Sequence, residues 1–77
     1  MDADMAESII LNNLTLHGGT GNVMEFLKYD FSEFDNGFAI ANDMQNKDLL
    51  KILYSNFNKN LVVVEATLLG LAAAKNK

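Results

Sequence analysis

Apolar positions along this chain recur mostly at helical spacing. Val23, Phe26, Leu27, Phe31 and Phe34 follow i, i+3, i+4, i+8, i+11, the stripe of one helix face. Glu25, Lys28, Ser32 and Glu33 fall on the other side. The spacing predicts a helix over 23–34 with Phe31 in its buried stripe. Asp30 is the exception, a carboxylate among Val23, Phe26 and Phe34, which puts it at the stripe's edge or in a pair. In a first helix over 5–16, Ile10 and Leu14 lie one turn apart, with Met5, Ile9 and Leu16 on another side. So broad an apolar face predicts two neighbours. A third helix over 43–57 carries Leu49, Leu50, Leu53, Tyr54 and Phe57 on one face, with Ile52 well off it as a candidate contact residue. A fourth, over 61–74, is apolar nearly all round, broken only by Glu65 and Thr67. Such a helix is central or shared with another chain.

The punctuation agrees with four helices. Asp4 is followed three positions later by Glu7, Asn22 by Glu25 and Asn42 by Gln45, the spacing of a capping box. Gly18 and Gly19 stop the first helix, Gly18 as a left-handed residue. Asp35-Asn36-Gly37 terminates the second, since Asn and Gly accept positive φ. Phe38 to Ala41 forms a short apolar connector. The expected architecture is all-α: four short helices in a small bundle, one helical domain over 1–77. The alternative is α+β, with short strands at 11–16, 38–41 and 61–67. Val62-Val63-Val64 is a good strand nucleus, but the length of the run, its Ala-rich end and the lysines beyond it favour a helix.

Composition narrows the picture. At 77 residues, 49% hydrophobic and 21% charged, the chain is too apolar for disorder yet small enough that its core is thin. Domains of this size usually add a staple. There is no Cys, so disulfides and thiolate metal sites are excluded, and His17 alone makes no zinc site. Self-association or a partner protein is the remaining staple. The net charge is −4, and every basic residue is a scattered Lys, with only Lys75 and Lys77 close together. Without Arg or a basic cluster, nucleic acid is not an expected partner. The longest apolar stretch, 61–74, falls short of the ~20 residues that span a bilayer. Its acidic opening, Met-Asp-Ala-Asp, is unlike a basic leader, and a cytoplasmic setting is expected. Ten Asn with no Arg or Pro point to AT-rich coding, as in some bacteria, their phages or plasmids.

No motif carries chemistry. His17-Gly-Gly-Thr-Gly-Asn22 lacks the Gly-Lys-Ser/Thr of a phosphate loop. In 32–43, Phe34 stands where a calcium loop needs an oxygen. Ser8, Ser32 and Ser55 have one His between them. Asp30, Glu33 and Asp35 read as the solvated end of a helix. The expectation is no enzyme and no cofactor. It is a small protein-binding module, of adaptor or inhibitor type, acting through protein–protein contacts and forming a homodimer. The alternative is a structural assembly component whose function is its own oligomer. The candidate interface residues are Ile52, Val62, Leu68 and Leu69. The last three lie on the apolar fourth segment, where Leu61, Val64, Leu68 and Leu71 share one side and Val62 and Leu69 the other.

Overall fold

The computed structural model describes residues 2–56, 58 and 60–75. Its elements are α1 (Ala3–Leu16), β1 (Thr20–Asn22), α2 (Val23–Leu27), a 3₁₀ turn (Phe31–Glu33), α3 (Phe34–Asn46), β2 (Leu50–Ser55), β3 (Val62–Ala66) and α4 (Leu68–Lys75). The fold is therefore α+β, and the all-α bundle is wrong. Helices pack against an antiparallel three-stranded sheet of order β1-β3-β2. Of the three alternative strand segments, only 61–67 is extended, as β3. Segments 11–16 and 38–41 lie inside α1 and α3.

Local physics explains each departure. α2 lasts five residues because Lys28 turns left-handed, at φ 58°, and the Tyr29 N–H closes back on the Met24 carbonyl at 2.8 Å. The chain then restarts through the 3₁₀ turn into α3, so the single helix over 23–34 does not form. Asp35-Asn36-Gly37, which reads as a stop, lies within α3. Gly37 makes a close contact there: a Cβ would lie 2.8 Å from the Met24 sulfur. Asn42 is likewise internal to α3 and caps nothing. Helix α3 ends instead at a second left-handed residue, Asp48 at φ 61°, with the Leu49 N–H bonded to the Met44 carbonyl at 3.0 Å.

With α3 closed there, Leu50–Ser55 is free to pair with β3, which replaces the helix expected over 43–57. Phe57, assigned to that helix face, lies outside the described residues. Register runs Leu50↔Ala66, Lys51↔Glu65 and Ile52↔Val64, then resumes at Tyr54↔Val63, leaving Leu53 as the bulged residue. In β3 the alternation is plain. Val62 and Val64 are buried beneath the helices, and Glu65 is exposed. The core joins Ala6, Ile10, Leu11 and Leu14 of α1 to Val23, Met24 and Leu27 of α2, Ala41 and Met44 of α3, Leu50, Val62 and Val64. Phe31, placed in the buried stripe by its spacing, is instead 69% exposed.

The first helix starts earlier than its capping spacing suggests. Asp2, not Asp4, is its cap, accepting the Met5 N–H at 2.8 Å. Gly18, at φ 77°, ends it as expected, with the Gly19 N–H on the Leu14 carbonyl at 2.7 Å. Asn22 caps α2, accepting the Met24 N–H at 3.2 Å.

Candidate interaction surfaces

Among the described residues, groups able to carry chemistry are dispersed or structurally engaged. His17 is exposed and stacks on Phe26 with ring centroids 5.7 Å apart. Asp30 caps the 3₁₀ turn and accepts both the backbone N–H and the hydroxyl of Ser32. Those hydrogen bonds, the hydroxyl's first, hold its carboxyl below its ordinary value. It does not lie in an apolar stripe, and among the described residues no salt bridge to it is seen. Glu7, only 7% exposed, meets the Lys47 ammonium at 2.8 Å, and Asp43 meets the same nitrogen at 3.1 Å. The hydrogen bonds to Glu7 and Asp43 raise Lys47 to about 12. This trio fastens α1 to the end of α3. Among the described residues, no three His, Cys, Asp or Glu side chains gather where they could hold a metal ion. No helix among them is long and apolar enough to cross a membrane.

The four candidate interface residues do not form one surface. Val62 is fully buried in the core. Ile52 is half-buried and packs against that core from β2, and its N–H is held by the Gln45 side-chain oxygen at 2.8 Å. Leu68 and Leu69 are different: they are 87% and 55% exposed at the start of α4.

Helix α4 is firmly placed despite its short length. Thr67 Oγ1 accepts the Gly70 N–H at 3.0 Å, as an N-cap does, and its hydroxyl donates to the Asp48 carbonyl. The Thr67 N–H bonds the Leu49 carbonyl at 3.2 Å. Gly70 lets the helix approach that backbone, and α4 also packs on α1. Near its C-terminal end, Asn12, Thr15, Leu16, Ala74 and Lys75 line an open depression of about 300 Å³. Leu16 there is 80% exposed.

A second surface, missed in the sequence, runs along α3. Phe34, Asp35, Phe38, Ala39 and Asn42 line an open depression of about 370 Å³. The Phe34 and Phe38 rings lie 6.0 Å apart, tilted by 31°. Phe31 precedes them in the 3₁₀ turn and is largely exposed. The Phe31–Phe34–Phe38 spacing is visible in the sequence, but core packing accounts for it equally well there.

No protein-family model, curated protein or solved structure matches this chain.

Proposed function

We propose that this chain is a small protein-binding module, of adaptor or inhibitor type and not an enzyme, that pairs with a second copy through α4. One observation carries the reading. Leu68 and Leu69 project outward from a helix that a cap, a Gly contact and neighbouring backbone hold in place. Fixed, exposed leucines of this kind are costly to leave in water and suit an interface. Charge supports a two-fold arrangement. Acidic Asp48 lies beside the start of α4 and Lys75 at its end. Two α4 helices packed antiparallel therefore set Lys75 of each copy towards Asp48 of the other, in the isologous geometry of a closed dimer. The reading sets the module in the cytoplasm. Its Asn-rich, Arg-free composition supports an AT-rich coding source such as a bacterial phage or plasmid.

The alternative, an assembly component whose function is its own oligomer, has less support. Open-ended growth by strand pairing needs a free sheet edge. Of the two edges, β1 is only 3 residues long, and β2 is blunted by the Leu53 bulge and by Gln45 on the Ile52 N–H.

Sedimentation over about a hundredfold concentration range tests both readings. A discrete dimer that Leu68→Glu converts to a folded monomer is the expected result. A monomer of 8.5 kDa at every concentration would sink dimerisation, and unbounded growth would favour the assembly component.

A further inference from the structure

We propose that the aromatic row Phe31–Phe34–Phe38 and its acidic rim receive a basic amphipathic segment of another protein. This rests on the protein-binding reading above and names the partner chemistry of a second surface, remote in sequence from α4.

Shape comes first. Phe31 is largely exposed, and the half-buried Phe34 and Phe38 rest on the core while also lining the open depression of about 370 Å³. That volume admits a large apolar anchor. Helix α3, at 13 residues, is about 20 Å long. That length matches a partner helix laid alongside it, the common mode for apolar grooves.

Charge selects the partner. Residues 29–46 hold Asp30, Glu33, Asp35 and Asp43 and no base. The rest of the chain balances its acids against its lysines, so the whole net charge of −4 resides on this segment. Asp43 is engaged by Lys47; Asp30, Glu33 and Asp35 lie at the end that carries Phe31, Asp30 held there by Ser32. Helix capping does not account for all three: Glu33 sits at the α3 cap position and makes no side-chain cap bond. Asp35 lines the depression beside the Phe34 and Phe38 rings, and an acidic end of this kind repels phosphates, whether of lipid or nucleic acid. It favours ammonium and guanidinium groups, which can lie over a Phe face while pairing with a carboxylate such as Asp35.

The probe is a fluorescently labelled synthetic helix of about 18 residues, with Leu on one face and Lys on the other. The same peptide with Glu for Lys, and a Lys peptide with its Leu dispersed, serve as controls. The Leu/Lys helix alone should bind, and its affinity should fall as salt rises from about 0.05 to 0.3 M. Amide NMR shifts should cluster in 30–42. Phe31→Ser and Asp35→Lys, both at exposed positions and checked for folding by circular dichroism, should each weaken binding about tenfold. Failure to bind, equal binding of the Glu peptide, indifference to both substitutions, or shifts centred on Leu68 and Leu69 would each overturn the proposal. The mass of the protein alone reports on α4 independently. A monomer that binds the probe leaves this proposal standing, and a dimer that ignores it defeats this one only.

Discussion

Gly70 lies so close to the Leu49 backbone that a Cβ on it would fall 1.9 Å from the Leu49 carbonyl oxygen. The glycine is what lets α4 dock at the β2 end of the sheet. Replacing Gly by Ala inside a helix ordinarily stabilises by about 0.5–1 kcal/mol. Here the sign reverses, because the obstacle is backbone and cannot swing away. Gly70→Ala should cost about 3 kcal/mol or more, at the upper end for overpacking. Urea unfolding checks it, and a stabilised variant would mean that α4 does not dock here.

The left-handed residues at Lys28 and Asp48 explain much of what the sequence concealed. At Gly18 the residue type announces the helix end, and that end was legible. Lys28 and Asp48 adopt the same backbone region without glycine, so apolar spacing ran on past both. In the sequence pattern alone, α2 therefore merges with the start of α3, and the end of α3 with β2. The Val62–Val64 strand signal was readable but lost to the length of the apolar run, which in fact divides at Thr67 between β3 and α4. Leu68 and Leu69 were recognisable as a surplus of apolar residues. The α3 surface was hidden because Phe spacing alone does not separate a core stripe from an exposed one.

Strain at those two residues is measurable. An L-residue held left-handed costs about 1–2 kcal/mol, which glycine avoids at some cost in unfolded-chain entropy. Lys28→Gly and Asp48→Gly should each raise stability by about 0.5–1 kcal/mol. Thermal melts would show it. A loss in either variant would place that residue outside the left-handed region.

Phe31 and Leu14 should behave oppositely to their apparent ranks by size. Leu14 is fully buried on α1 and Phe31 largely exposed. Leu14→Ala should cost about 2–5 kcal/mol, and Phe31→Ala within about 0.5 kcal/mol of nothing. Equal losses in chemical denaturation would return Phe31 to the core.

The Glu7–Lys47 pair gives a pH signature. Lys47 rises from 10.5 in the unfolded chain to about 12 when folded. A raised pKa means that the folded state holds the proton more tightly. The contribution is therefore fully present below 10.5 and fades as pH climbs through about 12. Lys47→Met strands the buried Glu7 carboxylate and should be less stable than the native protein at neutral pH. The gap between the two urea midpoints should narrow only in that alkaline window. A gap that closes near neutrality would assign the effect to another group.

Asn22 joins three pieces of backbone, and its loss should exceed that of an ordinary cap. Its side-chain oxygen accepts the Met24 N–H at 3.2 Å, opening α2, and the Val62 N–H at 2.9 Å, opening β3. Its amide donates to the Asn60 carbonyl at 3.2 Å. A simple N-cap change to Ala costs about 0.5–2 kcal/mol. Here a second, part-buried N–H is also stranded, adding about 1 kcal/mol or more. Asn22→Ala should therefore cost about 2–3 kcal/mol. Asn36 is exposed in the first turn of α3, where its amide donates to the Tyr29 hydroxyl at 3.2 Å. Asn36→Ala removes little and gains helix propensity, so it should lie within about 0.5 kcal/mol of the native protein. Asn22→Ala should also speed amide exchange at both Met24 and Val62. Faster exchange at Met24 alone would reduce Asn22 to a helix cap and detach it from the sheet.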